Sequence, residues 1–335
     1  MRAVIIEEHG ALDALTYVED FETPTAGEGE VIVKVGATAL NYHDIFTRRG
    51  MPGIKIPMPI IMGIDVAGEI SEVGAGVEGW SVGDRVLIDP ANRVEGGLTG
   101  ETTHGGLAEF CRAKAHQLVA LPENISFEQA AALPVAYGTA IRMMRTIGKI
   151  QPGEKVLILG ASGGVGICCV QLAKLAGAHV IAAAGTAEKA EKLTAVGADE
   201  IVLYREENFE KVIKERHGKA RMMGGGGGID VVVNFTGGDT WVPSLKVLKK
   251  GGRVLTCGAT AGYDPKEDLR FIWTFELQIL GSNGWEREDL MDLIDLVASG
   301  DLKAVVDHAY PLTEAYEAMR VLEDREVTGK VVVKP

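Results

Sequence analysis

Residues 155–177 read KVLILGASGGVGICCVQLAKLAG, and this stretch limits what the chain can fold into more than any other. Val156 to Leu159 is a short continuous apolar run, the pattern of a strand buried on both faces of a parallel sheet. Gly160, Ala161, Ser162, Gly163, Gly164, Val165 and Gly166 follow, and Ile167 to Ala176 then carries apolar residues at helical spacing. Strand, glycine turn and helix in that order are the setting in which a dinucleotide is held. The glycines permit a tight turn and a close backbone approach to a pyrophosphate, and the free N–H groups at the start of the helix favour its negative charge. The other reading is an ordinary tight strand-to-helix turn. The flanking pattern favours a cofactor-binding role for Gly160, Ser162, Gly163, Gly164, Val165 and Gly166.

Downstream, the same alternation continues. HVIAAAG, DEIVLY, IDVVVNFTGG, RVLTCG and LQILGSN read as strands, while EKAEKLTAVG, NFEKVIKERHG and WVPSLKVLKKGG read as helices between them. This pattern predicts a doubly wound parallel sheet with its ligand at the carboxyl ends of the strands. Glycines 224–228 predict a surface turn, since no basic residue or hydroxyl follows in phosphate-loop spacing. Before the turn, EVIVKVGATALN, GIDVAGEISEVGAGV and GDRVLI are short β-branched runs broken by turn residues, which predicts an irregular β domain. Ser126 and Gln129 stand at capping-box spacing ahead of a helical stretch. EDLMDLIDLVASGDL and LTEAYEAMRVLEDRE predict amphipathic helices, and GKVVVKP a closing strand that returns to the first domain.

A chain of 335 residues exceeds one simple core, so two domains are expected. The net charge of −13 argues against nucleic acid as a partner, because that binding rests on clustered Lys and Arg neutralising phosphates. The first twenty residues lack the apolar core of a signal peptide, and no apolar run is long enough to span a bilayer. A cytoplasmic protein acting on a small molecule, without membrane partners, is the expectation. Cysteines at 111, 168, 169 and 257 form no metal-binding spacing and read as small core residues.

Several motifs, in order along nearly the whole chain, resemble the medium-chain dehydrogenase/reductase superfamily. They are ALNYHD at 39–44, GIDVAGEISEVG at 63–74, GDRV at 83–86, GGLAEF at 105–110, AAALPVAYGTA at 130–140, the glycine turn, GADEIVLY at 197–204 and GKVVV at 329–333. The resemblance implies an α/β fold: a GroES-like β domain over 1–124 with a C-terminal return of 284–335, and a Rossmann doubly wound parallel sheet over 125–283. It places the active site in the cleft between them and makes a homodimer through the LQILGSN strand the expected assembly. The chain departs from the zinc-dependent pattern at each ligand. Asn41 stands for the catalytic Cys, Ile64 and Asp65 for the His-Glu pair, and the third Cys falls near Ala131. Residues 89–106, where a four-cysteine lobe would lie, hold no cysteine. Zinc needs several correctly aimed ligands, so the resemblance narrows to the zinc-free quinone oxidoreductase branch. An alcohol dehydrogenase with a metal site remodelled from His43, Asp65 and His104 is the alternative, and a cofactor-binding protein without turnover, like the lens crystallins of this branch, is a second.

Cofactor preference is read from the second strand of the nucleotide domain. Its end, Ala182 to Ala187, lacks the acid that holds a ribose 2′-OH in NAD-binding units. The GTAEKA text at 185–190 resembles NADPH-specific quinone reductases, which implies that Lys189 and Tyr204 contact the 2′-phosphate and that Thr186 lies beside it. NADPH is therefore expected. Without a metal Lewis acid, reduction of a quinone or α,β-unsaturated carbonyl is easier than that of a ketone, because the charge spreads over an enolate or quinolate. The resemblance places Asn41 and Tyr42 at the substrate and nicotinamide site. His43 falls where zinc enzymes keep a relay hydroxyl, and its ordinary pKa suits protonation of the enolate. Thr139 matches the family threonine beside the nicotinamide, and Thr236, Gly258 and Ser282 stand at strand ends where the cofactor should pass. Met51, Met58, Met62, Trp80, Trp273 and Trp285 read as core or pocket wall. The enoyl-thioester reductases keep a tyrosine shortly after the segment matching 48–50, where this chain has Met51 and Pro52.

Overall fold

The computed structural model describes every residue except Pro52 and Gly224. The first glycine of the 224–228 run and the second residue of the Met51-Pro52 pair therefore lie outside the described residues. The chain packs as two compact units, one of Met1–Ala136 with Arg287–Pro335, the other of Tyr137–Glu286.

The first unit opens with β1 (Ala3–Ile6), β2 (Thr16–Val18), β3 (Glu30–Leu40), α1 (Tyr42–Arg49), β4 (Ile60–Ile61), β5 (Asp65–Val73), β6 (Arg85–Ile88), β7 (Phe110–Lys114), β8 (Leu118–Ala120) and α2 (Phe127–Ala131). Ser126 caps α2 by accepting from the Gln129 amide at 3.2 Å, and Gln129 returns the bond at 2.9 Å, so the capping box forms as read. Wide π-type turns at Leu133–Gly138 and Arg142–Ile147 flank α3 (Thr139–Ile141).

The second unit is α/β. It holds β9 (Lys155–Ile158), α4 (Gly164–Leu175), β10 (His179–Ala184), α5 (Ala187–Ala195), β11 (Glu200–Leu203), α6 (Phe209–His217), β12 (Ile229–Val233), α7 (Trp241–Val247), β13 (Leu248–Thr256), α8 (Leu269–Thr274) and β14 (Gln278–Gly281). Its strands run parallel in the order β11-β10-β9-β12-β13-β14. The order reverses between β9 and β12, the switch point at which open α/β sheets bind ligands. Leu157, Ile181, Val232 and Val254 are fully buried at its centre. Cys168 and Cys169 are fully buried on α4, and burial raises their thiols together with those of Cys111 and Cys257, the last two up to about 12. Cys111, Cys168 and Cys169 are core residues, while Cys257 is only partly buried.

The chain then returns to the first unit through α9 (Arg287–Ser299), β15 (Val306–Pro311), α10 (Ala315–Glu323) and β16 (Lys330–Lys334). β16 pairs antiparallel with β3, Val332 opposite Ala39, so GKVVVKP does close the first sheet. That seven-stranded sheet has the order β15-β16-β3-β5-β6-β8, with β7 also on β3.

Five features differ from the sequence reading. Helix α1 lies inside a region read as strand-like, because the capping contact of Asp44 described below outweighs the surrounding β pattern. Leu248–Lys250 belong to β13 and not to the preceding helix. α8 and β15 have no counterpart in the sequence reading, since neither carries a long periodic pattern. Trp273 is 71% exposed on α8, unlike Met62, which is fully buried, and Trp285, which covers Gly138.

Gly68 in β5 lies so close to β3 that an added Cβ would sit 2.1 Å from the Lys34 carbonyl oxygen. Gly68→Ala is expected to destabilise the protein by about 3 kcal/mol, through forced separation of two central strands. Urea denaturation followed by fluorescence measures this, and an unchanged midpoint would contradict the packing described.

Candidate active site

In the second unit, three glycines of the turn have separate tasks. Gly160 turns the chain out of β9 at φ +67°, a left-handed value that favours glycine. Gly166 packs α4 on the strand end, where a Cβ would lie 2.3 Å from the Gly160 oxygen. Gly163 caps α4 without a side-chain hydrogen bond, and a Cβ there would meet nothing nearer than the Gly160 oxygen at 3.7 Å. The first amides of α4 thus face open space over a glycine. Ser162, Gly164 and Val165 complete this half-exposed turn.

Beyond β10, Thr186 Oγ1 accepts from the Lys189 amide at 3.3 Å and starts α5, which fixes Lys189 in its first turn. A Cβ on Gly185 would lie 2.8 Å from the Tyr204 hydroxyl and 3.4 Å from Arg205 Nε, so both groups sit over this glycine. The sequence reading named Lys189 and Tyr204 but not Arg205, which directly follows the matched GADEIVLY text. Past β12, the buried Asn234 organises the loop: its Oδ1 accepts from the amides of Thr236 and Gly237, each at 3.0 Å, and its Nδ2 donates to Ser244 Oγ at 2.9 Å. Asn234 was also missed. The Gly258 carbonyl accepts from Thr256 Oγ1 at 3.1 Å, and Ser282 donates its amide to the Thr256 carbonyl at 2.8 Å.

Ser282 Oγ is buried with no hydrogen-bond partner among the described residues. An orphaned hydroxyl, an uncapped helix start and a cradle that only glycine leaves open fit a dinucleotide, and the Tyr204 hydroxyl and Arg205 guanidinium together over Gly185 fit a phosphate on its ribose. Thr139 opens α3, half-buried.

In the first unit, Asn41 ends β3 and starts α1. Its amide donates to Asp44 Oδ2 at 2.8 Å, and Asp44 Oδ1 accepts from the Gly63 amide at 3.1 Å, which ties the helix to the turn before β5. Burial pushes the Asp44 carboxyl up to about 6. Asn41 Nδ2 donates to Asp65 Oδ2 at 2.8 Å, while its Oδ1 accepts from Lys330 Nζ. Lys330 Nζ also lies 3.3 Å from Asp65 Oδ2, and Asp65 Oδ1 accepts from the Val135 amide at 3.1 Å. Asn41, Asp65 and Lys330 are all buried. Burial pushes the Asp65 carboxyl up and the Lys330 ammonium down, and each is opposed by the charge of the other.

Both ends of the Asn41 amide are thus used inside the protein. Tyr42 is half-buried, its ring edge-to-face with Phe46 at 5.7 Å between centroids. His43 is half-buried, and its Nε2 lies 2.5 Å from Glu101 Oε2, a carboxylate the sequence reading passed over. His104 Nδ1 accepts from the Ile61 amide at 3.2 Å. Ile64 and Ala131 are fully buried and apolar. The residues at the zinc-ligand positions are therefore either apolar or bonded to one another, and His43, Asp65 and His104 have separate partners. Among the described residues, no three His, Cys, Asp or Glu side chains gather as a metal site.

Residues 27–123 match the family model described as alcohol dehydrogenase GroES-like domain, and 164–299 match zinc-binding dehydrogenase. The chain is 34% identical to an NADPH-dependent alkenal/one oxidoreductase of Arabidopsis thaliana, over 100% of this chain and 80% of that protein. A solved NAD-dependent alcohol dehydrogenase is similar at TM-score 0.91 and 36% identity, with 100% of both chains covered. Escherichia coli quinone oxidoreductase, solved with NADPH, is similar at TM-score 0.84 and 30% identity, also with 100% of both covered. With a GroES-like β domain, a Rossmann sheet and this match along its whole length, the chain belongs to the medium-chain dehydrogenase/reductase superfamily, in its quinone oxidoreductase branch.

Proposed function

We propose that the protein is an NADPH-dependent oxidoreductase that reduces a quinone or an α,β-unsaturated carbonyl without a metal. The observation that carries this reading is the closed set of Asn41, Asp65 and Lys330, in which the positions of a zinc site hold one another. The related alkenal/one oxidoreductase and the quinone oxidoreductase solved with NADPH carry the same chemistry in their names.

Bound NADPH supplies a hydride. The remaining work belongs to the chain. Gly160, Gly163 and Gly166 shape the turn, with Ser162, Gly164 and Val165, so that the first amides of α4 can receive the pyrophosphate. Lys189, Tyr204 and Arg205 hold the 2′-phosphate, with Thr186 keeping α5 in place. Asn234 sets the loop that carries Thr236, and Thr139, Gly258 and Ser282 line the cofactor path. Asn41 positions α1, Tyr42 lines the acceptor site, and His43 donates a proton to the reduced acceptor. Charge spread over a conjugated product needs only hydrogen bonds and a proton donor, which these residues provide.

We read the assembly as a homodimer and its location as cytoplasmic. β14 is the edge of its sheet, and Ile279 on it and Leu269 and Trp273 on α8 are exposed, an apolar edge suited to pairing with a second copy. Among the described residues, no helix is long and apolar enough to cross a membrane.

Reduction of aldehydes is the second reading, favoured by the 36% identity to a solved alcohol dehydrogenase. Initial rates of NADPH and NADH oxidation with quinones, enones and aldehydes, each with and without EDTA, separate the two. Turnover of quinones or enones that prefers NADPH and ignores EDTA is the expected result. Turnover confined to aldehydes and abolished by EDTA would sink the metal-free reading.

Two substitutions test its parts. Arg205→Ala is expected to raise KM for NADPH about tenfold while leaving KM for NADH within a factor of about two, as for loss of one charge-assisted phosphate contact. Equal effects on both cofactors would remove Arg205 from the phosphate site. Lys330→Met leaves Asp65 buried without its cation, and a loss of about 3–5 kcal/mol in chemical denaturation is expected. A variant as stable as the parent would show that the buried pair does not hold the first sheet together.

A further inference from the structure

Residues 98–105 occupy the stretch in which no cysteine lobe is present, and their path is fixed in detail. The amides of Gly105, Gly106 and Leu107 donate to the carbonyls of Ile61, Gly63 and Met62 at 2.7, 2.8 and 2.9 Å, which binds this segment to the chain entering β5. Gly100 sits at φ +78°, and a Cβ on it would lie 3.0 Å from the Gly63 carbonyl carbon. The Gly100 amide donates to the Thr103 carbonyl at 2.8 Å, and that of Glu101 to the Leu98 carbonyl at 3.1 Å. The turn therefore presses glycine against glycine and points one acid, Glu101, at His43. The Glu101 side chain is only 9% exposed, against 33% for His43, and their contact is 2.5 Å.

We propose that Glu101 is a positioning residue for proton delivery by His43: it holds Nε2, leaves Nδ1 as the nitrogen that gives up its proton, and stabilises the imidazolium until it does so. This rests on the reading of His43 as the acid. In the step itself, the acceptor's double bond has taken hydride at its β-carbon and pushed an electron pair into an enolate. The His43 Nδ1–H bond breaks as a C–H bond forms at the α-carbon, the N–H electron pair stays on the ring, and water reprotonates the neutral imidazole.

The charged groups around His43 favour the cation. Glu101 faces it from the turn, Asp44 from α1 and Asp65 from β5, while Lys330 on β16 lies on Asp65. Burial works against the imidazolium, but Glu101, Asp44 and Asp65 outweigh it and hold His43 above the ordinary histidine range. A donor of this kind is charged below its pKa, so kcat is present at low pH and falls as pH rises through that value.

The test compares the parent protein with Glu101→Gln, Glu101→Asp and His43→Gln. His43 is titrated by NMR in the protein without cofactor, its signal assigned by loss in His43→Gln. The pH profile of kcat is measured with but-3-en-2-one at saturating NADPH. In Glu101→Gln, the His43 titration and the falling limb of kcat should both move to lower pH by about one unit, the shift expected on removing an adjacent opposite charge. KM for NADPH should change less than about twofold. Glu101→Asp keeps the charge at a shorter reach and should fall between, which also covers a failure of Glu101→Gln to fold. His43→Gln should lower kcat by about a hundredfold. An unmoved titration and limb in both Glu101 variants, with His43→Gln still impaired, overturns the role of Glu101 alone. Unchanged kcat in His43→Gln overturns the acid role of His43 and the inference with it.

Discussion

A lysine and an aspartate buried together in a β-sheet must answer for each other, and the first unit is arranged so that they do. Lys330 comes from the last strand, Asp65 from the start of β5 and Asn41 from the end of β3, residues far apart in sequence that register brings to one spot. An uncompensated charge there would be far more costly than the pair is beneficial. The C-terminal strand is thus both the neighbour of β3 in the sheet and the source of the cation that the Asp65 position requires. Asn41 bridges the two charges and in doing so sets the first residue of α1, which carries Tyr42 and His43.

The same constraint decides what the first unit can do chemically. A carboxylate held by Lys330, Asn41 and the Val135 amide has its lone pairs engaged. With Ile64 beside it, the position offers an apolar wall and a closed network instead of open ligands. The group to which the proposed function gives the proton transfer is the half-buried imidazole of His43, two residues beyond Asn41. Its partner, Glu101, comes from the 98–105 turn, which is bonded to the chain entering β5.

Local chemistry made some elements legible from the residues alone. The glycine turn was readable because three constraints fall within seven residues, and the capping box at Ser126 and Gln129 because cap geometry is local. The strand alternation was readable because buried parallel strands are continuous apolar runs. Helix α1 was not read, although its Asn41–Asp44 cap is equally local, because the long alternating run of β3 leads straight into it. Leu248 joined β13 because its pairing with Ile229 of β12 outweighed helical spacing. Glu101, Asn234 and Arg205 were missed for a common reason. Each is a polar residue in a turn, and only the tertiary path of the backbone reveals what its side chain meets. Trp273, read as core or pocket wall, is not core, because size alone does not decide burial and it stands 71% exposed on α8.

Hydride addition to a conjugated acceptor separates two demands that a ketone imposes together. A ketone concentrates negative charge on one oxygen, where a metal ion is the effective remedy; an enone or quinone disperses it, and a proton then completes the reaction. Under the proposed function the second demand falls to the first unit, where no three His, Cys, Asp or Glu side chains gather among the described residues to meet the first. Asn41, Ile64 and Asp65 are buried where the resemblance would put ligands, and the half-exposed imidazole beside them is that of His43, whose charge burial opposes and Glu101, Asp44 and Asp65 favour. The buried set of Asn41, Asp65 and Lys330 and the carboxylate of Glu101 against His43 are the two arrangements on which the proposal of enolate protonation rests.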